Sequence, residues 1–174
     1  MFTYVAENIG QAPAMPGRPG IPTVRATSAQ TENARVVLRH CETRLADLAG
    51  QLPAQVPPRT AAVQAAFQAG RVHAATVHRH LAEALDRVIG LESTPLPAPE
   101  DLDGAERERR LGYQVLCVLS EAQNTAVTAG EELVVLSARL PPAEPGPARP
   151  GRARAASAAP PASGPAPATT ARHR

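Results

Sequence analysis

The chain has 174 residues and a formal net charge of +2, which at about 100–200 residues per domain is one domain with extensions. Hydrophobic residues make up 43% and charged residues 20%, near the globular average, so wholesale disorder is not expected. Phe2, Tyr4, Phe67 and Tyr113 are the only aromatics, at 2%. That argues against a β-sandwich or barrel and against a base-stacking platform for single strands.

No run of about 18 apolar residues occurs, so no membrane span is expected. The first ten residues show neither the basic nor the apolar region of a secretory signal. A cytoplasmic protein is the resulting expectation. All 18 basic side chains are Arg, and Ala, Pro and Gly abound; the pattern reads as GC-rich codons, with a high-GC bacterium as the expected source. In general character the chain resembles small helical proteins of such bacteria, and no motif ties it to a named family.

Residues 1–27 read as an irregular N-terminal segment carrying Phe2, Tyr4, Val5, Ile9, Met15, Ile21 and Val24. All 19 prolines lie outside the windows 28–52, 60–94 and 100–140. Proline inside a helix costs about 3 kcal/mol, so these windows predict three helices, over about 28–52, 59–92 and 101–140. Thr27 with Gln30, and Asp103 with Glu106, supply capping-box patterns before the first and third.

Apolar periodicity agrees. Leu38, Cys41, Leu45, Leu48 and Leu52 step by threes and fours along the first helix. Val63, Phe67, Gly70, Ala74, Val77, Leu81, Ala84, Val88 and Leu91 do so in the second, and Val115, Leu119, Ala122, Ala126, Ala129, Leu133, Leu136 and Leu140 in the third. These are the seams of helices packed at a shallow angle. Arg79–Glu83, Glu83–Arg87, Asp103–Arg107 and Glu106–Arg110 mark solvated faces.

Short connectors make neighbours antiparallel, so the expected fold is an all-α, up-down-up three-helix bundle. Folding back at 53–58 sets Leu45 opposite Phe67 and Cys41 opposite Gly70. Folding back at 95–99 sets Phe67 near Ala126 and Gly70 near Ala122. In this register the first helix falls short of the far end of the second. An apolar two-helix tip is left, whose partner-binding candidates are Leu81, Leu85, Val88, Ile89, Leu102, Leu111 and Leu116. An apolar tip needs a cover: the N-terminal segment, a second copy in a homodimer, or another protein.

From Pro141 onward the chain is a Pro/Ala/Arg-rich tail with almost nothing larger than Ala to bury, and disorder is expected. Residues 1–140 hold 13 Arg against 15 acids, and residues 141–174 five Arg against one. The basic character therefore belongs to Arg149, Arg152, Arg154, Arg172 and Arg174, candidates for weak, salt-dependent contact with nucleic-acid phosphates.

No nucleophile, base and orienter fall together, so no catalytic residue and no enzyme activity is assigned. His73 and His80 are about two turns apart, too far for one metal ion. They read, with His40 and His78, as residues flanking the helix seams. No cofactor or metal is expected. Cys41 and Cys117 lack a CxxC pattern and sit too far apart in register for a bridge. The leading functional expectation is a non-enzymatic protein–protein interaction module using the tip. One alternative is a nucleic-acid-associated protein using the tail. Another is a small-ligand-binding bundle with a cleft at Gly70, Ala122 and Ala126.

Overall fold

Four helices and one small hairpin make up the computed structural model, which describes residues 1–50 and 56–142. The elements are α1 (Phe2–Gly10), β1 (Ala14–Met15), β2 (Arg18–Pro22), α2 (Val24–Gly50), α3 (Pro58–Glu92) and α4 (Leu102–Ala138). The fold is mainly helical, as expected, with a fourth helix in place of the irregular N-terminal segment. The hairpin is antiparallel, and Gly17 at its turn takes a φ of +75° that favours glycine.

The expected helix starts move. Thr23, not Thr27, caps α2: its Oγ1 accepts from the Ala26 amide at 3.2 Å. Thr27 is wholly buried and donates to the Thr23 carbonyl. Gln30 is also turned inward, its Nε2 donating to the Asn8 carbonyl at 2.7 Å. Asp101, not Asp103, caps α4 by accepting from the Gly104 amide at 2.8 Å. Each cap satisfies one otherwise orphaned helix N–H. Of the four expected charge pairs, Glu83–Arg87 forms, at 2.7 Å.

α3 is the central helix, with α2 along one flank and α4 along the other. α1 packs on α4 and α2 together, in the fourth position of the bundle. Its four buried side chains, Phe2, Val5, Ala6 and Ile9, fall on one helical stripe.

The α2–α3 register agrees with the sequence reading: a β-carbon at Gly70 would lie 3.3 Å from Cys41 Sγ. The α3–α4 register does not. That same β-carbon would lie 3.8 Å from Leu133 Cδ1, so Gly70 faces Leu133 rather than Ala122. His73 reaches Glu132 and His80 approaches Glu121, in the same register. Stepping one for one, Val77 faces Ala126, Leu81 faces Ala122 and Ala84 faces Leu119, all of them buried. Large still meets small, but between different partners.

The cause lies in the connector. Pro95, Pro97 and Pro99 favour extended chain, rising about 3.1 Å per residue against about 1.5 Å in a helix. The chain therefore overshoots before α4 begins. The first turns of α4 stand beyond the last turn of α3, with residues 94–98 running alongside them.

Candidate interaction surface

The hairpin is what covers the α3–α4 end. Met15 and Ile21 are buried in the core, and Ile21 Cδ1 lies 3.3 Å from where a Gly112 β-carbon would sit. Arg18 fixes the hairpin in place. Its side chain is 7% exposed, and its Nε donates to Glu108 Oε1 at 3.0 Å. Its Nη2 donates to the Thr94 carbonyl at 2.7 Å, and its Nη1 contacts Met15 Sδ at 3.5 Å. One guanidinium thus ties together the hairpin, the connector and α4. Glu108 Oε2 is buried without a hydrogen-bond partner.

This cover divides the seven tip candidates. Leu81 and Val88 are fully buried core residues and Leu85 is half-buried. Ile89, Leu102, Leu111 and Leu116 are exposed. Leu111 lines a cleft beside the connector, whereas Leu116 lines a groove beside the hairpin. The seven candidates are therefore divided between core and surface.

A different surface emerges on α4. Tyr113, Leu116, Val127 and Val134 are 69%, 42%, 45% and 67% exposed. Tyr113, Ser120, Val127 and Val134 fall at heptad spacing and Leu116 three residues after Tyr113, so they share one side of the helix. This stripe is separate from the buried seam of Val115, Leu119, Ala122, Ala126 and Ala129. Two grooves flank it. One, of about 580 Å³, runs between the hairpin and the first half of α4, past Ile21, Tyr113 and Leu116. The other, of about 590 Å³, runs between α1 and the second half, past Ala6, Val127 and Val134.

A hydrogen bond with Cys117, one turn on, pushes the Tyr113 phenol up from its ordinary range. Tyr113, Val127, Val134 and Arg18 were not among the sequence candidates. The heptad at 113, 120, 127 and 134 is nevertheless legible in the sequence.

The residues expected to form a small-ligand cleft, Gly70, Ala122 and Ala126, do not come together. Ala122 and Ala126 are fully buried in the core. Gly70 does line a groove, of about 460 Å³, at the other end of the bundle with Val37, Cys41, Phe67 and Leu133. Burial pushes the Cys41 thiol up, with a smaller push from Glu42. Cys41 and Cys117 are both free thiols.

His73 Nε2 meets Glu132 Oε2 at 2.6 Å. His80 Nδ1 lies 3.4 Å from Glu121 Oε2 without hydrogen-bond alignment. Both histidines flank the α3–α4 seam, and His40 lies tilted on Phe67 with ring centres 6.1 Å apart. Among the described residues no group of three or more His, Cys, Asp or Glu is placed to hold a metal ion. No described helix is long and apolar enough to cross a membrane. Arg149, Arg152, Arg154, Arg172 and Arg174 lie outside the described residues.

Compared with known proteins, the chain matches no family model, no curated protein and no solved structure.

Proposed function

We propose that this protein is a non-enzymatic helical interaction module that binds a protein through the outer stripe of α4. One observation carries the reading: α4 has a fully packed apolar seam and, beside it, a second apolar stripe left exposed. A surface helix needs one apolar stripe for its own core. A second, recurring on one side of the helix at both of its halves and bordered by grooves, is the mark of a contact surface. Leu116 is retained from the tip expectation, and the centre of the site moves from the tip to the side of α4. The free thiols suit a reducing compartment, which supports placing the module in the cytoplasm.

The test is photocrosslinking from single positions in the expressed protein. A photoreactive residue at Tyr113 or Val127 should give discrete protein adducts. The same group at Thr128, exposed on a different side of α4, should give none. No adduct from the stripe, or equal adducts from Thr128, overturns the reading.

The charge asymmetry of the sequence favours a second reading, association with nucleic acid through Arg149, Arg152, Arg154, Arg172 and Arg174. Deleting residues 145–174 should then abolish a steeply salt-dependent binding. Binding that survives the deletion, or is insensitive to salt, removes this alternative.

A further inference from the structure

We infer that the occupant of the α4 stripe is a second copy of this chain, with its α4 antiparallel to the first. This rests on the stripe being a contact surface and adds the identity of its partner. The stripe runs from Arg109 to Val134, about 37 Å at 1.5 Å per residue. That is long enough for several turns of helix–helix packing.

Its charges are ordered by position. At the N-terminal end, Arg109 lies on the stripe and Arg110 on its edge. At the C-terminal end the edge residue is Glu131. Arg110 and Glu131 are exposed, and neither has an ion-pair partner among the described residues. Arg109 has only the exposed Glu106, at 3.1 Å. A parallel second copy would set Arg110 beside Arg110 and Glu131 beside Glu131. An antiparallel copy sets Arg109 and Arg110 against Glu131 of the other chain, and two-fold symmetry makes that contact twice.

The apolar residues follow the same order. In an antiparallel seam the two alternating heptad positions of one helix meet the opposite positions of the other. Leu116 then meets Val127 of the second copy. Ser120, exposed and with a short side chain, falls near the two-fold axis, where it lets the two helices approach. The groove between α1 and α4 receives the first half of the other α4, and the groove beside the hairpin receives the second half.

The full-length protein tests this by light scattering after size exclusion at about 100 µM, with Arg110→Glu, Glu131→Arg, the charge-swapped double variant and Leu116→Glu. The expected result is a dimer of twice the chain mass. Each single charge reversal should weaken dimerisation about tenfold or more, the double swap should restore it, and Leu116→Glu should give a folded monomer with unchanged helix content. A wild-type monomer overturns the inference, while stripe adducts containing a different protein would leave the contact-surface reading standing. A dimer lost in Leu116→Glu but not rescued by the charge swap overturns the antiparallel arrangement. A dimer indifferent to all these substitutions overturns both.

Discussion

Arg18 is the residue whose removal should reveal most about how the hairpin is held. The Arg18→Ala substitution deletes contacts to Glu108, Thr94 and Met15 in one step. It leaves the Glu108 carboxylate without its cation, and Glu108 Oε2 already lacks a partner. Removing one member of a fully buried ion pair costs about 3–5 kcal/mol. Glu108 retains 20% exposure, so part of its charge stays solvated and the lower figure of about 2–3 kcal/mol applies. At a urea slope of about 1–3 kcal/mol per molar, the midpoint should fall by about 1 M. Replacing both partners, as Arg18→Met with Glu108→Leu, removes the stranded charge and should lie within about 1 kcal/mol of the wild type. The assay is urea unfolding followed by far-ultraviolet circular dichroism, in low and high salt. High salt should leave the wild-type contribution of the pair largely intact, because buried charges are poorly screened. A loss under about 0.5 kcal/mol for Arg18→Ala, or a double variant as unstable as the single, would refute this account of the hairpin.

The remaining predictions concern the core, two glycines and the thiols. Leu81→Ala empties a fully buried site and should cost about 2–5 kcal/mol in the same assay. Leu102→Ser, at a site 76% exposed, should change stability by less than about 0.5 kcal/mol. Gly90→Ala should stabilise by about 0.5–1 kcal/mol, since the added methyl meets nothing within 4 Å inside a helix. Gly17→Ala should destabilise by more than about 1 kcal/mol, because φ is +75° and Leu96 Cδ1 lies 2.8 Å from the new carbon. Cys117 should react with a thiol reagent well before Cys41, whose burial holds it protonated. Since the folded state keeps the Cys41 proton longer, its stabilising effect is whole below the ordinary thiol range near about 8.5 and fades as pH rises through it. Between pH 7 and 10 the wild-type urea midpoint should therefore fall further than that of Cys41→Ala.

Much of this architecture is written in the spacing of proline and leucine. The three long helices and the Cys41–Gly70 contact follow from that spacing alone, because the connector at 53–58 is short enough to fix the turn. The fourth helix was harder to see. Phe2, Val5, Ala6 and Ile9 do form an apolar stripe, but α1 is only nine residues long, and isolated helices that short are marginal without tertiary packing. The hairpin was hidden for a similar reason: Met15 and Ile21 are too few to show a strand period. Arg18 was illegible because a buried arginine is rare, and its partners Thr94 and Glu108 lie far along the chain.

The misplaced α3–α4 register follows from the geometry of a seam. Apolar positions recur every three or four residues, so sliding one helix past its neighbour by three steps brings apolar against apolar again. Gly70 can face Ala122 or Leu133 with the pattern equally satisfied. Periodicity selects a set of registers, and something outside the seam must choose among them. Here the extended Pro95–Pro97–Pro99 connector makes that choice. Its consequence reaches the proposed interface: the shift brings the hairpin and α1 to the inner side of α4 and leaves Tyr113, Leu116, Val127 and Val134 uncovered. In the register expected from the turn alone, α4 would have met its neighbours some eleven residues away, and the same stripe would have had different neighbours. Three prolines outside every helix thus decide which part of α4 lies beside the hairpin and which beside α1.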